Sequence, residues 1–167
     1  QHSAMLDPNA KVEVEYASQH RVVIRASGSH LSKEGRPLSR FIVRITAFQG
    51  LPYLHVSHTF IIVEDTSKVR YRDIALPIPI EGKTIAGDEQ GRKIVMKSGS
   101  HLLQRTWENY HVRTNAGEEL SVGRKASGWF VRGKMGLAVR DFWQNYPKEI
   151  EAKDDSNLIV HFWPAHG

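Results

Sequence analysis

Residues 11–16 read KVEVEY, apolar and charged side chains in strict alternation. That pattern has a period of two, and period two is the signature of an extended strand with one dry face and one wet face. Val12, Val14 and Tyr16 fall on one side, Lys11, Glu13 and Glu15 on the other. The same signal recurs along the chain. HRVVIRA (20–26) places Val22 and Ile24 opposite Arg21 and Arg25, and RFIVRITAF (40–48) places Phe41, Val43, Ile45 and Ala47 opposite Arg40, Arg44 and Thr46. The link Ala17-Ser18-Gln19 is short enough to make 11–16 and 20–26 a hairpin.

Further strands are expected at 53–63, 70–80, 94–96, 101–105, 107–112, 129–133, 135–140, 148–152 and 158–164. Pro77 and Pro79 place 70–80 at a sheet edge, because proline cannot donate to a ladder. Gly133-Lys134 reads as a hairpin turn, NAGEE (115–119) as a turn, and EGKTIAGDEQGRK (81–93) as a loop. No stretch of ten or more residues has a helical period. The best helical candidate is one turn at 141–146, with Asp141 as N-cap and Phe142 and Tyr146 packing down together. Many short strands between turn signals predict an all-β fold, an antiparallel two-sheet β-sandwich with at most one short helical turn. Residues 1–10 lack any pattern and read as a cloning scar or disordered start. Residues 11–167 read as a single β-sandwich domain excised from a larger multidomain protein.

The chain has 167 residues, 40% hydrophobic and 25% charged, which is ordinary for a globular domain that needs no staple. It has no cysteine, so thiolate catalysis, Cys-ligated zinc and disulfides are excluded. A net charge of +5 permits an acidic partner. The Lys and Arg residues are scattered instead of blocked, which argues against nucleic acid. No apolar run is long enough to span a membrane. Nothing in the sequence calls for a cofactor.

Several constellations have a plain structural explanation. His55 and His58 form HVSH, but residues three apart on a strand point to opposite faces and do not share a metal ion. One is expected at the core margin and one in solvent. EGKT (81–84) matches the end of a phosphate-binding loop, yet the glycine required five positions before the Gly-Lys pair is Pro77. Arg21, Arg25, Arg40 and Arg44 project from one face if their strands pair. That face would suit an acidic polysaccharide, but a ladder in which Glu13 and Glu15 neutralise Arg21 and Arg25 explains it better. WENYH (107–111) offers aromatic planes for sugar rings, with core packing of Trp107 as the simpler expectation.

VRDFWQNYPKEIEA (139–152) is the densest stretch, with three aromatics in the connection between two strands. Once Phe142 and Tyr146 are assigned to packing, Arg140, Trp143, Gln144 and Lys148 remain as candidate ligand contacts at a sandwich rim.

GKMGLAVRDFWQNYPKEIEA (133–152) followed by LIVHFWPAHG (158–167) resembles the rhamnogalacturonan exolyase-like (PcRGLX/YetA-like) family, whose members carry a similar V-R-D-F-W-Q-x-x-P-K stretch and a strand ending in W-P. FIVRITAFQGLPYLHVSHTFIIVED (41–65) is similar to a second motif of that family. The resemblance implies the central β-sandwich of a large protein, with an N-terminal barrel before it and a C-terminal α/α toroid after it. It implies polysaccharide lyase chemistry on pectic rhamnogalacturonan, an acidic polysaccharide as partner, and an extracytoplasmic, secreted or periplasmic location. Such β-elimination needs a group that neutralises the uronate carboxylate, a base for the C5 proton and an acid for the leaving oxygen. The sequence assigns none of these roles to a particular residue. Three readings follow: a lyase domain inactive in isolation, a non-catalytic carbohydrate-binding or structural module, and a hydrolase relative using two carboxylates such as Asp141 and Glu108.

Overall fold

The computed structural model describes residues 1–165. His166 and Gly167, the last two residues of the second resemblance block, lie outside the described residues. The chain divides into two compact units, 1–70 and 71–167.

The first unit holds β1 (His2–Ser3), a 3-10 turn (Ala4–Leu6), β2 (Lys11–Ala17), β3 (Arg21–Ser32), β4 (Pro37–Phe48) and β5 (Leu54–Ile62). These strands form one antiparallel sheet, with β1 and β2 both pairing with β3, and β4 and β5 following in order. Alternation in the sequence translates directly into its two faces. Val12, Val14, Ile24, Ile45 and Val56 share one face, as the register pairs Val14 with Ile24, Ile24 with Ile45, and Ile45 with Val56. The other face carries the charged ladder. Arg25 donates to Glu13 at 2.7 Å, and Arg44 grips Glu15 through two N–H groups at 2.6 and 2.8 Å. Glu15 therefore neutralises Arg44 more than Arg25, and Arg21 lies over the Tyr16 ring at 4.6 Å. The register shift between Val14 and Tyr16 carries Tyr16 to that side. His55 and His58 fall on opposite faces, His55 exposed and His58 half-buried. The apolar face differs from expectation, since Val12 is 73% and Val14 64% exposed.

The second unit begins with β6 (Ile74–Pro79), β7 (Thr84–Asp88), β8 (Lys93–Met96), β9 (Ser100–Gln104) and β10 (Tyr110–Thr114). It continues with β11 (Glu119–Gly123), β12 (Ala126–Arg132), β13 (Met135–Ala138), β14 (Lys148–Ala152) and β15 (Asn157–Trp163). Among the described residues these make a six-stranded sheet, ordered β11-β10-β9-β14-β15-β6, and a four-stranded sheet, ordered β13-β12-β7-β8. The two sheets share one core. Leu102, Tyr110, Val112, Ile150, Leu158 and Val160 from the first meet Ala86, Ile94, Met96 and Phe130 from the second. This is the antiparallel β-sandwich the alternation predicts.

Pro77 and Pro79 lie on the edge strand β6, and Gly133-Lys134 closes the β12–β13 hairpin with Arg132 opposite Met135. The loop expected over 81–93 contains β7, and the strand after NAGEE is β11. Residues 140–145 form a turn closed by Asn145 N–H donating to the Asp141 carbonyl at 3.0 Å, not a helix. Asp141 has φ +51°, in the left-handed region, so it does not adopt the extended backbone of an N-cap. Phe142 is buried and meets Phe130 edge-on at 5.6 Å, whereas Tyr146 is exposed, so the expected Phe142–Tyr146 pair does not form.

Candidate functional site

Strand register decides which side chains meet in the second unit. On β9, β10, β14 and β15 the residues Leu102, Val112, Ile150 and Val160 point into the core, so their neighbours point outward from the six-stranded sheet. The outward rows read His111, Leu103, Glu149, His161 and Arg113, His101, Glu151, Ile159 across successive strands. Alternation thus gathers three histidines, two glutamates and an arginine on one face.

His161 lies at the centre of a carboxylate cluster. Its Nδ1 is 2.8 Å from Asp73 Oδ1, and its Nε2 is 3.3 Å from Glu151 Oε2 and 3.8 Å from Glu149 Oε1. Glu149 is fully buried and His161 nearly so. The Asp73 contact fixes the ring's orientation. Beside this cluster, His101, Leu103, Arg105, His111, Arg113 and Asn115 line a groove of about 440 Å³. Its lining offers hydrogen-bond donors and positive charge around an apolar floor, which suits an anionic, hydroxyl-rich ligand.

One end of the same sheet is a rim of loops. Gln104, at the end of β9, pairs with Tyr110 and Lys148, so the 105–109 loop and the 139–147 connection meet the sheet at that end, as does Trp163 at the end of β15. Trp107 and Trp163 are each 51% exposed, and core packing of Trp107 is not what the fold does. Gln104 anchors this rim. It is fully buried, its Nε2 lies 2.7, 3.1 and 3.0 Å from the carbonyls of Thr106, Asn109 and Arg124, and its Oε1 accepts from Ala126 N–H at 2.8 Å.

The four residues singled out from the sequence all lie in or beside this connection, in different settings. Arg140 is almost fully exposed and sits 3.4 Å from Asp141 Oδ2. Gln144 is exposed. Trp143 is half-buried, with Lys125 Nζ 4.2 Å from its ring centroid. Lys148 is buried and donates to the Asn145 carbonyl at 2.9 Å, which closes the turn. Burial lowers the Lys148 pKa, and Asp141 works in the opposite sense. Sequence reasoning missed the groove and the His161 cluster. His161 meets Asp73 across 88 residues of chain, and β9, which carries His101, pairs with the distant β14, so no local spacing marks these meetings.

Residues 3–85 match the family described as PcRGLX-like protein central beta sandwich domain. Over these residues the chain belongs to the PcRGLX-like family. The PcRGLX-like stretch contains the 41–65 block on which the sequence resemblance partly rested. The 133–167 block, the groove and the rim lie beyond it. No curated protein and no solved structure matches the chain at a significant level.

Proposed function

We propose that the chain is the central β-sandwich domain of a polysaccharide lyase that cleaves rhamnogalacturonan-type pectin by β-elimination. It contributes one wall of the cleft and is inactive as an isolated domain. The observation that carries this reading is the PcRGLX-like match over residues 3–85. The outward face of the six-stranded sheet supports it. Elimination needs a cation or donors on the uronate carboxylate, a base for the C5 proton and an acid at the leaving oxygen. Arg105, Arg113, His101 and His111 supply these side-chain types around one groove. The remaining walls come from the adjacent domains that the resemblance implies, an N-terminal barrel and a C-terminal α/α toroid. An extracytoplasmic location suits an enzyme that meets the polymer itself.

The full-length protein incubated with rhamnogalacturonan is expected to generate unsaturated uronate absorbance. Absence of that product across a panel of acidic polysaccharides sinks the lyase reading. A second reading, a non-catalytic carbohydrate-binding module, draws support from the exposed Trp107 and Trp163 at the rim, since flat aromatic surfaces stack on sugar rings. It is favoured if this chain alone binds oligosaccharide, the binding is weakened in Trp107→Ala or Trp143→Ala, and full-length protein yields no unsaturated product.

A further inference from the structure

Resting on the acidic-polysaccharide reading above, we propose that the groove over β9 and β10 is a built subsite for a uronate carboxylate, and that Glu119 occupies that place in the empty protein. The Glu119 carboxylate lies 2.8 Å from His111 Nδ1 and 3.2 Å from Arg113 Nη2, both through Oε2. Two outward donors thus converge on one carboxylate oxygen through charge-assisted hydrogen bonds, the strong class of such contacts. Glu119 comes from β11, the edge strand of the sheet, where Arg113 stands opposite it across a register shift. The Glu119 side chain is 44% exposed, so a competing carboxylate reaches the same donors from solvent.

The rest of the groove is arranged for a sugar. Arg105 lines it and, among the described residues, has no carboxylate partner. It stands just past the end of β9, two outward positions on from His101, the residue opposite Arg113, and is the groove's second cation for an acidic ligand. Leu103 is buried in the floor and presents an apolar patch to the CH face of a pyranose ring, while His101 and Asn115 offer polar contacts to its hydroxyls. The acidic groups facing the subsite are Glu119 on β11 and, on β14, Glu149 and Glu151, which stand opposite Leu103 and His101. They limit the excess positive charge, so discrimination comes from the donors' placement more than from long-range attraction.

The test is calorimetric titration of the 167-residue chain with digalacturonate and, as a neutral control, digalactose. Digalacturonate is expected to bind at least tenfold more tightly. Arg105→Gln and Arg113→Gln are each expected to weaken it at least fivefold, Arg113→Lys less so. Glu119→Gln is expected to tighten it severalfold, because the internal competitor is gone. Equal affinity for both disaccharides, no heat from digalacturonate at millimolar concentration, or unchanged affinity in a folded Arg105→Gln/Arg113→Gln variant overturns the proposal. Weaker binding in Glu119→Gln also overturns it, since Glu119 would then assist the ligand. These outcomes concern binding alone, so they separate from failure of the lyase reading, which appears as missing unsaturated product from the full-length protein.

Discussion

Gln104 shows how one buried amide can organise a surface. Its side chain reaches carbonyls on both sides of the rim, and none of these partners is available to an apolar replacement. Gln104→Met keeps the length but strands Ala126 N–H and removes the amide donor from the Thr106 and Arg124 carbonyls, while the Asn109 carbonyl keeps the Arg105 N–H. At about 1–3 kcal/mol for a buried polar group left unpaired, a loss of about 3 kcal/mol is expected in urea denaturation. Arg132 is a second such residue, 2% exposed and donating to the Ile80 carbonyl at 2.6 Å and Thr84 Oγ1 at 2.9 Å, as well as to the Asp154 carbonyl. Neither residue stands out in the sequence. A glutamine or arginine on a strand looks like a solvent-facing residue until the loop that supplies its carbonyls is in place. Gly87 carries the same lesson, because a Cβ there would overlap the Trp129 indole, and nothing near Gly87 announces that ring.

Among elements, those defined by their own alternation were the readable ones. β2, β4, β14 and β15 lie within a few residues of the stretches that predict them. β7 escaped notice because TIAGD is short, contains the glycine that admits Trp129, and sits between charged, glycine-rich flanks. The 140–145 turn was placed but its backbone was not, since Asp141 takes a left-handed conformation that sequence alone does not reveal.

The β3–β5 region also has a titration signature. On the apolar face His30 lies 5.2 Å from Phe41, 5.4 Å from Phe60 and 6.4 Å from His58, with Nδ1 3.0 Å from Ser39 Oγ. Burial, with His58 and His2 as lesser contributors, holds His30 below the usual histidine range, and burial does the same for His58. An unfolded chain takes up these protons near pH 6.5, whereas the folded sheet takes them up only at lower pH. Stability from this source is complete above about 6.5 and falls as the pH drops through the folded values. The lowered carboxylates, Glu15 and Asp88 among them, lose their contribution only below about 4.3, so the window between is the histidines' own. The expected result is a melting temperature that declines from pH 7.5 to 5, with NMR titration midpoints for both rings below 6.5. Midpoints at or above 6.5 would refute it.

For the whole molecule, the two units differ in what they bury. Every residue of the buried hydrophobic cluster belongs to the second unit. In the first unit Phe41 is the one buried hydrophobic side chain among the described residues, and the sheet keeps an exposed apolar face. A sheet that does not cover its apolar face lacks the burial that offsets chain entropy. A fragment of residues 71–167 is therefore expected to unfold cooperatively with dispersed amide NMR signals, and a fragment of 1–70 to be unfolded or associated. A well-dispersed monomeric spectrum from 1–70 would show that a single open sheet suffices here.

The sequence alone determined that this chain is built from antiparallel strands, where most begin and end, and which residues share a face. Those properties follow from the two-residue repeat of an extended backbone, a matter of covalent geometry that needs no distant partner. Only the tertiary structure decided which strands became neighbours. It set β14 between β9 and β15, and β15 against β6, bringing His161 to Asp73 and the rows of His101 and His111 beside Glu151 and Glu149. Side chains from strands separated by tens of residues meet through hydrogen-bond registers that close late and far along the chain, so no local pattern encodes the face on which they converge.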